Sequence, residues 1–89
     1  MSTVKEKIAS GARIVDVRSQ AEFKDGSYPG AINIPLAFLS ARMHELEPKN
    51  TPIVLFCASG ARSAQGARLL KQAGFTDVIN AGGLDDMPS

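Results

Sequence analysis

A run of four apolar residues constrains the fold more than any other segment of this chain. Ile53, Val54, Leu55 and Phe56 follow one another without a polar residue. Such a run is typical of a strand in a parallel sheet, because helices cover both faces of that sheet. The sequence therefore predicts a central buried strand at this position.

Shorter β-branched runs and helical patterns alternate on both sides of the central strand. The other strands are predicted at Ile14 to Val17, Ala31 to Ile34 and Asp77 to Asn80. The helices are predicted at Thr3 to Ser10, directly after Ser19, at Leu36 to Glu47 and at Arg62 to Ala73. Alternating strands and helices require crossover connections, so we predict an α/β fold with a parallel sheet between helices.

The composition fits one small domain over residues 1–89. A chain of 89 residues has no room for a second core, and a net charge of +1 from scattered residues argues against nucleic-acid binding. No stretch reaches the ~18 apolar residues of a membrane span. One cysteine cannot form an internal disulfide, and no Cys/His cluster offers metal ligands. We therefore expect a cytoplasmic protein without a metal or other cofactor.

The segment after the central strand combines a nucleophile with an anion-binding backbone. It consists of Cys57, Ala58, Ser59, Gly60, Ala61, Arg62 and Ser63, and a helix follows. Binding crevices of open parallel sheets lie at the carboxyl ends of the strands. Small residues after such a strand let backbone N–H groups converge, and the positive terminus of the following helix favours an anion there. Such a setting lowers a thiol pKa from ~8.5 into the range ~3.5 to 7.5. We predict Cys57 as the nucleophile and Arg62 as the cation for an oxyanion.

Other polar residues allow a structural interpretation. A lone cysteine after a strand is commonly a small buried hydrophobe, and only the glycine, arginine and serine at fixed offsets favour function for Cys57. Asp16 and Arg18 are either catalytic or, in the favoured interpretation, fix the loop geometry. Glu22 is interpreted as completing a capping box with Ser19. His44 lies on the polar side of its predicted helix, so we assign it no role.

Two pairs of loop residues keep two interpretations each. Ser59 and Ser63 either donate hydrogen bonds to a bound sulfur or complete the loop and cap the helix. Gly82 and Gly83 either allow a close backbone approach to the pocket or form an ordinary turn.

Several motifs in order along the chain resemble the rhodanese-like family. They are Asp16-Val17-Arg18, Glu22-Phe23, Pro29 to Pro35, the loop Cys57 to Ser63, and Gly82-Gly83. This resemblance implies a small sheet of four or five strands with helices on both faces. It also implies a sulfurtransferase in which Cys57 takes a sulfane sulfur from thiosulfate or a persulfide and passes it to cyanide or a thiol, including a protein acceptor. Arg62 would hold the donor, and the amides of Ala58 to Arg62 would stabilise the persulfide.

The resemblance leaves two other functions open. A non-catalytic sulfur carrier or a regulatory anion-binding module would need the same loop without turnover. Related phosphatases and arsenate reductases have a loop one residue longer, with arginine six positions after cysteine, where this chain has Ser63. The chain also departs from the family at Ser27, where many members have histidine, and at Met87, near which many have tryptophan.

Overall fold

A four-stranded parallel sheet forms the centre of the protein. The computed structural model describes residues 3–89, so Met1 and Ser2 of the predicted 1–89 domain lie outside the described residues. The helices and strands follow one another as α1 (Thr3–Ala9), β1 (Arg13–Asp16), α2 (Gln20–Lys24), β2 (Ile32–Asn33), α3 (Leu39–Arg42), β3 (Ile53–Cys57), α4 (Ala61–Gln72) and β4 (Val78–Gly83). The strand order is β2-β1-β3-β4, and every neighbouring pair is parallel. The predicted α/β class is confirmed.

The core lies mainly on one face of this sheet. All five residues of β3 are buried, as the apolar run predicts. Side chains alternate between the two faces along a strand. The buried cluster joins alternate residues of β1 and β3 to helical residues: Val15, Ile53, Leu55 and Cys57 with Leu39, Leu46, Ala67 and Leu70. Cys57 therefore points toward the face that α4 covers.

The segment between β2 and β3 differs from the single helix predicted over Leu36 to Glu47. It consists of a 3-10 helix (Leu36–Phe38), the short α3, and a second 3-10 helix (Met43–Leu46). The apolar side chains at positions 36, 39, 43 and 46 are spaced by three, four and three residues. Three-residue spacing matches one turn of a 3-10 helix, so the narrow turns at both ends keep these side chains facing the core.

The last strand is longer than predicted and contains an irregularity. It runs from Val78 to Gly83 instead of ending at Asn80. Leu55 pairs with Asn80, but Cys57 pairs with Gly83, so β4 has one more residue than β3 between these pairs. Such a bulge bends a strand locally. Here it directs the end of β4 toward the residues that follow Cys57.

No helix within residues 3–89 combines the length and apolar character that crossing a membrane requires. The longest helix, α4, has 12 residues.

Candidate active site

Cys57 is the last residue of β3, at the carboxyl edge of the sheet. Only Ala58, Ser59 and Gly60 separate it from α4. Gly60 precedes the helix with a φ of 102°, which is a left-handed conformation that side chains disfavour. This glycine allows the chain to turn so sharply that the first turn of α4 faces back toward the sulfur.

The Cys57 sulfur accepts hydrogen bonds from the backbone on both sides of this turn. The N–H of Gly60 lies 3.0 Å from Sγ and the N–H of Ser63 lies 3.4 Å away. Burial raises the pKa of this thiol, since Cys57 is only 1% exposed, but hydrogen bonds from the Ser63 side chain and from the backbone of Ser63, Gly60 and Ser59 outweigh burial. The net effect lowers the pKa of Cys57 to about 7. About half of the thiol is therefore ionised at neutral pH.

Ser63 connects the sulfur to the last strand. Its Oγ lies 3.3 Å from the Cys57 Sγ and 2.6 Å from the Asn80 Oδ1. A hydroxyl has one proton to donate, so the sulfur competes for it with the Asn80 amide oxygen and with the carbonyls of Gly60 and Gly82. Asn80 also donates from Nδ2 to the carbonyl of Gly60, at 3.3 Å. The Asn80 side chain thus positions both the hydroxyl and the turn beside the sulfur.

The glycines at the end of β4 permit a close approach to the cysteine loop. A Cβ at Gly83 would overlap the carbonyl group of Ala58. Gly82 has a φ of 96°, and its Cα lies 3.3 Å from the position that a Cβ on Gly60 would occupy. Of the two interpretations of this glycine pair, the close backbone approach is therefore confirmed.

Arg62 lies in the first turn of α4 and binds Glu22. Its Nη1 and Nη2 donate to the two carboxylate oxygens of Glu22, at 2.8 and 3.1 Å. Glu22 also completes the predicted capping box, because its Oε1 accepts from the N–H of Ser19 and the Ser19 Oγ accepts from the N–H of Glu22. The hydrogen bonds from Arg62 and then from Ser19 lower the pKa of Glu22 to about 2. Glu22 therefore carries a full negative charge at neutral pH.

Asp16 and Arg18 form a second ion pair, and this one is buried. The Asp16 carboxylate accepts from the Arg18 backbone N–H, Nε and Nη2 and from the Ser27 hydroxyl, at 2.7 to 3.1 Å. The same Arg18 Nη2 donates to the carbonyl of Gly26, at 2.7 Å. These contacts join the end of β1 to the turn after α2, as the structural interpretation of the pair predicts. Ser27, at one of the departures from the family pattern, thus contributes a bond to Asp16.

The remaining predicted residues surround the turn. Ala58, Ser59 and Ala61 are exposed, Gly60 and Arg62 are half-buried, and Ser63 is fully buried. Of these six residues, Gly60 and Ser63 donate backbone hydrogen bonds to the sulfur, and the backbone of Ser59 also stabilises the thiolate. His44 is exposed, as expected. Asn80 was not predicted as a site residue, although its place at the end of the last strand, two residues before Gly82, is a usable signal.

A groove also lies away from the cysteine loop. A groove of about 980 Å³ runs beside β2 and includes Phe23, Ile32 and the exposed Phe38, but no residue of the cysteine loop. A smaller groove of about 460 Å³ borders Arg62. In the part of the chain that the structure describes, no group of three or more His, Cys, Asp or Glu residues is arranged to hold a metal ion.

The fold and this loop together define a class of protein: a parallel α/β domain that presents a cysteine in a hydrogen-bonding loop at the sheet's carboxyl edge. The profile of the rhodanese-like domain matches residues 1–87. The chain therefore belongs to the rhodanese-like family.

Two curated relatives and one solved structure illustrate the range of this family. The chain is 38% identical to the thiosulfate sulfurtransferase PspE of Escherichia coli, over 82% of this chain and 71% of that protein. It is also 38% identical to the putative sulfur carrier protein YrkF of Bacillus subtilis, over 90% of this chain but only 44% of that protein. The structure described as a rhodanese with anions from E. coli superimposes with a TM-score of 0.82 at 36% identity, covering 88% of this chain and 95% of that one.

Proposed function

We propose that this protein is a sulfurtransferase whose Cys57 carries the transferred sulfur as a persulfide. The observation that carries the proposal is the Cys57 sulfur, which accepts two backbone N–H groups and has a pKa of about 7. A thiolate is the reactive form of cysteine, and N–H donors stabilise negative charge on sulfur before and after the transfer. The name of PspE, a thiosulfate sulfurtransferase, supports thiosulfate as a donor.

The proposed reaction has two half-reactions. The Cys57 thiolate attacks the outer sulfur of thiosulfate, the S–S bond of the donor breaks, and sulfite leaves with the bonding electron pair. The new sulfur on Cys57 lies about 2.05 Å from Sγ and carries the negative charge. Cyanide or a thiolate, on a small molecule or a protein, then attacks this outer sulfur and releases the Cys57 thiolate. The products are thiocyanate or a new persulfide.

Arg62 is proposed to bind the sulfonate of the donor. Two of its five N–H donors are used on Glu22, so three remain for an incoming oxyanion. Replacing Arg62 with alanine is expected to raise the KM for thiosulfate by about 10- to 150-fold, since a hydrogen bond to a charged group contributes about 1.5 to 3 kcal/mol. Arg68→Ala is the matched control, because Arg68 is an exposed arginine on the same helix. Equal KM values in the two variants would remove Arg62 from donor binding.

The central experiment separates catalysis from carriage. The protein is incubated with thiosulfate, intact mass is measured for one added sulfur atom, and cyanide is then added while thiocyanate is measured. We expect both signals in the wild type and neither in Cys57→Ser. A persulfide that passes to neither cyanide nor a small thiol would instead support a carrier, the activity that the name of YrkF describes. No added sulfur in the wild type would exclude both functions.

The location proposed for this chemistry is the cytoplasm. The single cysteine, Cys57, is a free thiol, and persistent free thiols are typical of reducing compartments. Subcellular fractionation followed by immunoblotting with an antibody against the protein tests this proposal. Recovery of the protein outside the cytoplasmic fraction would contradict it.

A further inference from the structure

We propose that Glu22 is a specificity-determining residue that makes the Cys57 site discriminate against doubly charged donors. The inference rests on the proposed function, since it concerns the donor of the same site. In chemical terms, the favoured donors carry one negative charge, as organic thiosulfonates and organic persulfides do, and thiosulfate with two charges is a poorer donor.

The first support is the geometry of the Arg62 side chain. Both terminal nitrogens of Arg62 are bonded to the two oxygens of one carboxylate, at 2.8 and 3.1 Å. A two-point contact between a guanidinium and a carboxylate fixes both partners. Arg62 is therefore held in place for a donor, but its positive charge is already matched by Glu22.

The second support is the charge balance around the sulfur. Asp16 is paired with Arg18, and Glu22 is paired with Arg62. The Cys57 thiolate then adds one negative charge that neither pair balances. A further carboxylate, Asp86, lies at the adjoining end of β4 and accepts from the N–H of Gly83 at 2.8 Å. The Glu22 charge therefore opposes the attraction that Arg62 and the positive terminus of α4 exert on an approaching anion, and its repulsion is proportional to the anion's own charge.

The charge of Glu22 can be removed without removing its capping contact at the start of α2. A glutamine at this position retains an oxygen that accepts the Ser19 N–H, and glutamine is an accepted partner in a capping box. Glu22→Gln therefore removes one negative charge and leaves the start of α2 in place. This separates the charge of Glu22 from its capping contact with Ser19.

The matched control is Glu45→Gln. Glu45 forms the same kind of two-point contact, with the Nε and Nη2 of Arg42 at 2.9 and 3.1 Å. Its side chain is 39% exposed, against 37% for Glu22. Both variants thus change the net charge by one unit and break a comparable ion pair, but Glu45 belongs to the segment between β2 and β3 and not to the site.

The test of donor discrimination compares kcat/KM for thiosulfate and for benzenethiosulfonate, a monoanion with the same sulfane sulfur. Removing one negative charge is expected to raise kcat/KM by about threefold for the monoanion and by about tenfold for the dianion, because the free-energy change doubles with the charge. Glu45→Gln should leave the ratio of the two donors unchanged. If Glu22→Gln changed both donors by the same factor, or lowered both, Glu22 would be a structural residue and the proposal would be wrong.

A second measurement does not depend on sulfur transfer. Cys57 is alkylated with iodoacetate, a monoanion, and with neutral iodoacetamide, which reacts by the same chemistry. The iodoacetate-to-iodoacetamide rate ratio is expected to rise about threefold in Glu22→Gln and to stay constant in Glu45→Gln. A rise in a protein that transfers no sulfur would overturn the proposed function and retain the charge effect. A constant ratio in Glu22→Gln would overturn the inference alone.

Discussion

The hydroxyl of Ser63 is expected to set much of the reactivity of Cys57, and its removal should be measurable as a pKa shift. A hydrogen bond to a charged group contributes about 1.5 to 3 kcal/mol, and 1.36 kcal/mol corresponds to about one pKa unit. Because Asn80 competes for the same proton at 2.6 Å, the lower end of this range applies. Ser63→Ala should therefore raise the pKa of Cys57 by about one unit from its value of about 7.

The assay is the rate of alkylation by iodoacetamide as a function of pH. Only the thiolate reacts, so the rate rises with pH and reaches half of its maximum at the pKa. At pH 7 the ionised fraction should fall from about one half in the wild type to about one tenth in Ser63→Ala. Ser63→Thr keeps the hydroxyl and should keep the wild-type midpoint. Ser59→Ala removes an exposed hydroxyl from the same loop and should also leave it unchanged.

An unchanged midpoint in a folded Ser63→Ala protein would refute this reasoning. The backbone N–H groups of Ser63, Gly60 and Ser59 would then account for the whole lowering of the Cys57 pKa. Circular dichroism and the thermal midpoint of the variant establish that it is folded, because Ser63 is fully buried and its loss leaves a small cavity.

Two further substitutions test how the site is held together. Gly83→Ala places a methyl group on the Ala58 carbonyl and should cost about 1 to 3 kcal/mol of unfolding free energy. An unchanged free energy in urea unfolding would show that the approach is not tight. Asp16→Asn leaves the buried Arg18 without its carboxylate and should cost about 3 to 5 kcal/mol in the same assay, a loss that a solvent-accessible pair would not produce.

The sequence was sufficient to predict the parts of the site that are contiguous in the chain. An apolar run, small residues and a helix pattern follow one another from position 53 to position 73, and the structure has the strand and the helix there within one residue of the predicted bounds. Local spacing also predicted the capping box of Ser19 and Glu22. These features depend on neighbours within one or two helical turns, which a sequence pattern records directly.

Such patterns could not predict the contacts between segments that are far apart in the sequence. Glu22 and Arg62 are 40 residues apart, and their pairing depends on how α2 and α4 meet over the sheet edge. Asn80 belongs to the site because β4 pairs beside β3 and brings its side chain to Ser63, and the bulge that follows Asn80 shifts only the pairing of Gly83. The single helix expected after β2 was wrong for a different reason, since spacings of three and four residues both fit an amphipathic pattern and only the core contacts select between 3-10 and α turns.

The Glu22 carboxylate has one more consequence, which concerns the stability of α2. It accepts both the N–H of Ser19 at the start of this five-residue helix and the guanidinium of Arg62. A ligand that draws Arg62 away therefore alters how easily α2 opens, and by thermodynamic reciprocity the opening of α2 alters affinity by the same factor. The rate of amide hydrogen exchange in α2 should therefore change when a ligand binds beside the Cys57 sulfur, which lies more than thirty residues further along the chain.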